Sequence, residues 1–481
     1  TMLEEWLLDD GYDGGWSVHH QLKLAVVVAV VTVSSSLQFG FGTGVLNNLV
    51  DLARPADSVS IGHWAFVVSG FGIGGLAGSF LGAAVLSQRT LGRKSVLMLA
   101  NAVAMLSAAL LGLGEAWWVL LLGRAAAGVV AGVVAGVVPM YFVEISPVGA
   151  RAAVGSAHQM GITLGLLLSQ VLTTPSLGLL GSAELWRWTF AVPAACAALG
   201  LVVLPFCPES PFYTYHRAGS SAALNALAEL HQSASVANHL EAMRQQAALG
   251  GGAVDAYSLA QLGGARSLRK QLVVGVVVQL SMQLSGIDAI FLYSTLSLRL
   301  AGVADPQLAT TLLGATNVVM TAVAIAVMDK LGRRRLLLAG WAGMCASYAV
   351  LTVAIVAGRH ADEPAAGGFH TLAVAAMMGV VVFFSIGPGC VAWFVIAEIF
   401  PTHARDAAMA LGVGLNWLAN WLVAFSFPLA QYLLGPYTFV LFVASTAAFG
   451  AFTYAFVPET KGRSLREVTA SFDSLSTSPL Q

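Results

Sequence analysis

Seven carboxamides stand inside stretches that are otherwise apolar: Gln159 and Gln170, Gln279 and Gln283, Asn317, and Asn416 and Asn420. A carboxamide both donates and accepts, so it can match the hydroxyls of a neutral, polyhydroxylated guest. Each hydroxyl left unmatched after leaving water costs roughly 1–3 kcal/mol. Gln279, Gln283 and Ile287 step by four, as do Asn416 and Asn420, which sets each group on one helix face. Amides in membrane helices also serve as interhelical glue, and position alone leaves both uses open.

Trp393 offers a flat apolar wall with one N–H donor just after Gly387-Pro388-Gly389, a sequence that interrupts regular helix, as Gly286 does. Asp288 is an acid in an apolar stretch, suited either to relaying a proton or to hydrogen bonding a hydroxyl. Tyr293, five residues on, can act as a lid over the guest or as a packing group.

A second set of groups is charged and duplicated. Glu144-Ile-Ser-Pro-Val-Gly-Ala-Arg151 recurs as Glu398-Ile-Phe-Pro-Thr-His-Ala-Arg405. Leu91-Gly-Arg-Lys94 recurs as Leu331-Gly-Arg-Arg334, and Pro208-Glu-Ser210 as Pro458-Glu-Thr460. Arg93, Glu144, Arg151, Glu209, Arg333, Arg334, Glu398, Arg405 and Glu459 therefore fall at helix ends. Ion pairs there can latch one side of the molecule and must break when that side opens. Topology accounts for the basic residues alone, but it needs no glutamate. Three landmarks repeated in the same order imply two halves built on one plan.

The elements that position these groups follow from composition. Of 481 residues, 57% are apolar and 10% charged, with a mean hydropathy of +0.78. A soluble protein needs roughly a quarter of its residues charged, so the solvent here is mostly lipid. Runs long enough to cross a bilayer lie near 22–46, 63–87, 95–115, 117–142, 154–174 and 186–207. Six more lie near 271–297, 307–328, 335–358, 370–397, 406–430 and 435–457. Of the 23 basic residues, 18 fall on one side of this pattern, which predicts that both termini are cytoplasmic.

The expected organisation is an all-α membrane protein. Residues 1–21 form a cytoplasmic segment, 22–207 one six-helix half, 208–270 cytoplasmic linker helices, 271–457 the second half and 458–481 a cytoplasmic tail. Two parallel six-helix halves describe the major facilitator fold, with its binding site between them near the bilayer midplane. A net charge of −1 gives no nucleic-acid footprint, and the four cysteines have no metal-ligand spacing. No Walker A sequence is present, no sequon occurs, and no cofactor or metal is expected.

Over nearly its whole length the sequence resembles the sugar porter branch of the major facilitator superfamily, and within it the facilitative glucose transporters. The resemblance rests on an ordered set: Arg124 with Val138-Pro-Met-Tyr141, His158-Gln-Met-Gly161, Pro208-Glu-Ser-Pro211, Gln279-Leu-Ser281 and Gln283-Leu-Ser-Gly-Ile287. Asp329-Lys-Leu-Gly-Arg-Arg334, Gly387-Pro-Gly389 with Trp393, Asn416-Trp417 and Pro458-Glu-Thr-Lys-Gly-Arg463 complete it. It implies a hexose pocket of Gln159, Gln279, Gln283, Asp288, Asn317, Trp393 and Asn416, and carriage by alternating access in which a monomer suffices.

Three departures bear on substrate. Met282 stands where glucose carriers show a second glutamine, Asp288 where they show asparagine, and Ser385 or its neighbour where a glutamate precedes the Gly-Pro-Gly break. Coupled relatives carry an acid beside the glycine pair of the first helix; here Phe39-Gly-Phe-Gly-Thr-Gly44 has none, which favours facilitated diffusion of a hexose such as glucose. Proton-coupled symport through Asp288, a polyol carrier and a transporter-like nutrient sensor are the rival readings. The expected location is the plasma membrane, with lipid and a small sugar as partners.

Overall fold

The computed structural model describes residues 18–53, 60–87, 91–147, 150–228, 257, 259–461, 463 and 465–474. Among these, every regular element is helical. A segment crossing lipid must satisfy its backbone groups internally, and runs of this length and apolarity do so only as helices.

The first half opens with α1 (Val18–Val31), which continues through a π-helical turn (Thr32–Ser36) into α2 (Leu37–Asn48). Then follow α3 (Ile61–Ser87), α4 (Arg93–Leu113), α5 (Trp117–Ile145), α6 (Arg151–Thr173) and α7 (Ala191–Val203). Between the halves in sequence lie α8 (Pro211–Ala228) and α9 (Leu259–Gly264). Within the expected linker, residues 229–256 lie outside the described residues.

The second half comprises α10 (Arg269–Leu284), α11 (Ile287–Leu300), α12 (Pro306–Leu331) and α13 (Arg333–Gly358). After these come α14 (Glu363–Ile386), α15 (Pro388–Ile399), α16 (Thr402–Leu434) and α17 (Thr438–Phe456), and α18 (Leu465–Ser474) ends the described chain. Counting α1–α2, α10–α11 and α14–α15 as single spans gives twelve. Ten stretches among the described residues are long and apolar enough to cross a membrane, one of which, Ala407–Phe456, joins α16 and α17. The remaining span is α6, whose apolar run is diluted by Ser156, His158, Gln159 and Gln170.

Helix neighbours repeat between the halves. The second span packs on the fourth as the eighth does on the tenth, and the third packs on the sixth as the ninth does on the twelfth. Across the halves, the second span meets the eleventh and the fifth meets the eighth, two contacts that the repeat interchanges. The duplicated landmarks thus translate into duplicated packing.

Small residues allow the closest crossings. A Cβ at Gly74 would overlap the Ala125 carbonyl, and one at Gly128 the Phe71 carbonyl, so α3 and α5 touch backbone to backbone. Outward, large apolar side chains stay uncovered: Phe206 is 85% exposed, Leu113 80% and Leu433 78%. A surface of this kind is stable against acyl chains, not water.

Candidate functional site

The seventh and tenth spans are broken. Between α10 and α11, Gly286 adopts φ +85°, and a Cβ there would lie 2.5 Å from the Phe442 ring of α17, so only glycine fits. Between α14 and α15, Gly387 leaves helical geometry (φ −103°, ψ −100°) and Pro388 starts the next helix. Gln279, Gln283, Asp288 and Asn416 gather beside the first break, and Asn317 meets Ser385 beside the second.

Gln283 donates through Nε2 to Asn416 Oδ1 at 3.0 Å, and Asn416 Nδ2 donates to Gln279 O at 3.2 Å and to Gln279 Oε1 at 3.4 Å. Gln279 reaches on to the carbonyl of Ala392 on α15 at 3.3 Å. Met282 Sδ, where an amide is lost, receives only a weak contact from Asn416 at 3.7 Å. Gln283 Oε1 is buried without a partner among the described residues. One level along the same two spans, Asn420 Nδ2 donates to Asp288 Oδ2. The seventh and eleventh spans therefore share a ladder of two polar rungs.

Asn317 sits off that ladder, accepting from Ser385 Oγ at 3.1 Å between α12 and α14. Gln159 is half-buried on α6, and its neighbour His158 contacts Ser36 Oγ of the π turn at 2.8 Å through Nδ1. The side chain of Trp393 lies outside the described residues. Gln170 is buried at the contact between the halves, where a Cβ at Gly314 would overlap its amide oxygen.

Arg124 is fully buried in the first half. Its guanidinium donates to the carbonyls of Gly42 and Val68 and lies 4.7 Å from the centre of the Phe71 ring, while Nε has no partner among the described residues. Trp417 of α16 packs on Phe39 and Phe71 with ring centres 5.7 and 5.9 Å apart, joining the halves through aromatic contact.

On the side away from the basic turns, the halves are bonded to each other. Asn47 Nδ2 donates to the Phe291 carbonyl at 2.9 Å and to Ser294 Oγ at 2.8 Å, while the Thr295 amide donates to Asn47 Oδ1 at 3.2 Å. These bonds flank Tyr293, whose backbone is non-helical (φ −138°, ψ 18°), so the carboxamide occupies an interrupted turn of α11. Asn48 accepts from Thr295 Oγ1 at 2.8 Å, the Thr174 and Thr311 hydroxyls are 2.6 Å apart, and Arg299 forms a two-pronged pair with Asp51. Tyr293 is buried, its hydroxyl donating to Ala424 O at 2.7 Å. The amides Asn47 and Asn48 were not singled out in the sequence; two adjacent amides closing an apolar run were the available signal.

On the basic side each half closes on itself. Arg93 pairs with Glu144 at 2.9 Å, and Ser210 Oγ donates to the same carboxylate; Arg333 pairs with Glu398 at 3.1 Å, and Thr460 Oγ1 donates there. Glu209 and Glu459 instead accept backbone N–H groups, Glu209 from Lys94 at 3.1 Å, and Glu459 from Arg333 at 2.9 Å and Arg334 at 3.2 Å. A carboxylate there satisfies otherwise orphaned donors and complements the helix dipole. The Arg93–Glu144 and Arg333–Glu398 pairs each join two helices of one half. Arg334 also donates to Tyr454 O at 2.6 Å and Arg405 to Phe400 O at 3.4 Å, again within the second half, and the Arg151 side chain lies outside the described residues.

The chain is similar to known transporters throughout. The family model described as "Sugar (and other) transporter" matches residues 27–472. The facilitated glucose transporter member 4 of solute carrier family 2 from Mus musculus is 39% identical over 96% of this chain and 93% of its own length. Member 3 from Oryctolagus cuniculus is 35% identical over 96% of this chain and 94% of its own. Among solved structures, the E. coli xylose transporter in an inward-open conformation superposes with a TM-score of 0.77 at 24% identity, covering 93% of this chain and 99% of that one. The proton:xylose symporter bound to 6-bromo-6-deoxy-D-glucose superposes at 0.74, with 24% identity and coverage of 94% and 100%. Duplicated six-helix halves, two broken spans flanked by amides, and a family match over nearly the whole length agree: this chain is a multi-pass membrane protein of the sugar transporter family, with the major facilitator fold.

Proposed function

We propose that this protein carries a hexose such as glucose down its gradient by alternating access. The observation that carries the reading is the amide ladder of Gln279, Gln283 and Asn416 beside the breaks at Gly286 and Gly387. Neutral donors and acceptors there match sugar hydroxyls, and broken helices tolerate the movement of a gate. Gln159 and Asn317 complete the polar lining, with Trp393 as the apolar wall.

Uniport is supported by Gly42, which leaves Arg124 bound to carbonyls with no acid beside it in the first span. The basic turns face the cytoplasm, the termini lie on that side, and the plasma membrane is the site of action. Arg93 with Glu144, and Arg333 with Glu398, keep each half rigid while it rocks. Bonds from Asn47 and Asn48 hold the external side shut in the conformation described.

The test is purified full-length protein in liposomes. Labelled D-glucose should equilibrate without an imposed gradient, and accumulation above the external concentration would sink uniport. Proton coupling is the second reading, favoured by the burial of Asp288 within the ladder. It requires glucose to drive proton entry into the liposomes, and that signal to vanish in Asp288→Asn.

A further inference from the structure

Gln159 is the one carboxamide of the expected lining that stands on the first half. It is half-buried and forms no hydrogen bond among the described residues, so nothing bonded to its own amide fixes where it points. Its helix does. Gln170, eleven residues or about three turns further along α6, meets Gly314 of α12, which puts Gln159 on the face turned toward the second half. His158 lies about 100° round the helix from Gln159 and faces the first span instead.

The first span receives His158 with an irregularity. Over Thr32–Ser36 the chain takes a π turn, the Leu37 N–H reaching back five residues to the Thr32 carbonyl. The turn buries Ser34, Ser35 and Ser36 together, and the hydroxyls of Thr32, Ser34 and Ser35 find no partner among the described residues. Buried hydroxyls without partners are costly, and π turns are frequent at functional sites. The Ser36 hydroxyl alone of the four is engaged across helices, sharing a hydrogen bond of 2.8 Å with Nδ1 of His158. Packing on this face is close: a Cβ at Gly161, one turn beyond His158, would lie 2.6 Å from Thr32 Cγ2 and 2.8 Å from Ser36 Cβ. Among the described residues, the Ser36–His158 bond is the one hydrogen bond between α6 and the π turn.

We infer that His158 is a positioning residue for sugar binding: pinned to Ser36 of the π turn, it fixes the rotation of α6 and so aims the otherwise unheld Gln159 at the guest. The inference rests on the hexose reading above and adds to it a residue that acts without touching the sugar.

Initial rates of labelled D-glucose uptake into proteoliposomes carrying the full chain give KM and maximal rate for Ser36→Ala, His158→Ala, His158→Asn and Gln159→Ala. Ser36→Ala and His158→Ala should each raise KM about two- to tenfold, the worth of one neutral hydrogen bond, with the maximal rate held within about twofold. His158→Asn, whose amide can bond the Ser36 hydroxyl in place of Nδ1, should recover most of the loss. Combining Ser36→Ala with His158→Ala should be no worse than either alone. With Gln159 already replaced by alanine, His158→Ala should leave KM where it stands, because the effect runs through that amide. An unmoved KM in Ser36→Ala and His158→Ala, a loss confined to maximal rate or thermal stability, or a further rise of KM when His158→Ala is added to Gln159→Ala would overturn the inference. Should His158→Ala fail to fold, Ser36→Ala decides, since it removes a single oxygen from a turn that already holds unbonded hydroxyls. An unmoved KM in Gln159→Ala takes that residue out of the pocket, and this inference with it. A raised KM there with Ser36→Ala unmoved overturns this inference alone and leaves the pocket standing.

Discussion

Removing one carboxamide from the ladder leaves its neighbour short of a bond. Asn416 stands at the junction, bonded to Gln283 and to Gln279, so its loss reaches both glutamines. Gln283→Ala and Asn416→Ala should each raise the KM for glucose, by a factor of roughly 5–150 corresponding to 1–3 kcal/mol, at unchanged membrane expression. Radiolabelled zero-trans uptake measures it, and an unaltered KM in both variants would remove the ladder from the binding site. Trp421 provides the opposite case. Its indole N–H is buried with no partner among the described residues, so Trp421→Phe deletes a group that gains nothing from its place. Thermal unfolding in detergent should show a change within about 0.5 kcal/mol, or a small gain. At this scale the sequence was informative because amides in apolar runs are conspicuous. What it withheld was pairing: that Asn420 serves Asp288, or that Asn47 reaches α11, depends on contacts between residues more than 130 positions apart.

Helix ends and breaks carry the next level of explanation. Gly286 is required twice over, by its positive φ and by the Phe442 ring, so Gly286→Ala should cost about 1–3 kcal/mol of stability. Melting of the purified variant checks this, and an unshifted transition would mean that the break can be rebuilt elsewhere. Gly332 (φ +87°) makes room in the same way for Glu459, where a Cβ would approach the carboxylate to 2.8 Å. Glu459 caps α13 with one oxygen on the Arg333 amide and the other on the Arg334 amide, and Glu459→Gln keeps only one of these acceptors while removing the charge, so the loss should be about 1–3 kcal/mol. Periodicity and apolar length were enough to place the spans. The sequence also marked Gly286 and Gly387 as interruptions, since glycine and proline disturb a helix wherever it lies. The π turn at Thr32–Ser36 had no such signal, because serines there are compatible with ordinary helix.

For the whole molecule, the repeated landmarks did most to make the fold legible. Once Glu144 through Arg151 is matched to Glu398 through Arg405, a two-fold arrangement of six-helix halves follows, and the neighbour relations obey it. Which side is closed could not be read that way, because both conformations of a rocking carrier share one sequence. The bonds of Asn47, Asn48, Asp51 and Thr174 to the second half identify the closed side. Cysteines placed at Asn47 and Ser294, in a chain freed of its four native cysteines, should be joined by a short bifunctional thiol reagent. Joining them should abolish net sugar flux, and a cleavable reagent should allow its return on reduction. Continued flux through the joined protein would mean that this seam does not part during transport.

The carboxamide of Asn47 sits where α11 is missing part of its own ladder, holding the Phe291 carbonyl and the Thr295 amide at once. When the seam parts, those two backbone groups can recover each other, and the departing side chain meets water. At Asn47, opening is thereby an exchange of partners, the bonds lost across the seam being replaced within α11 and by water.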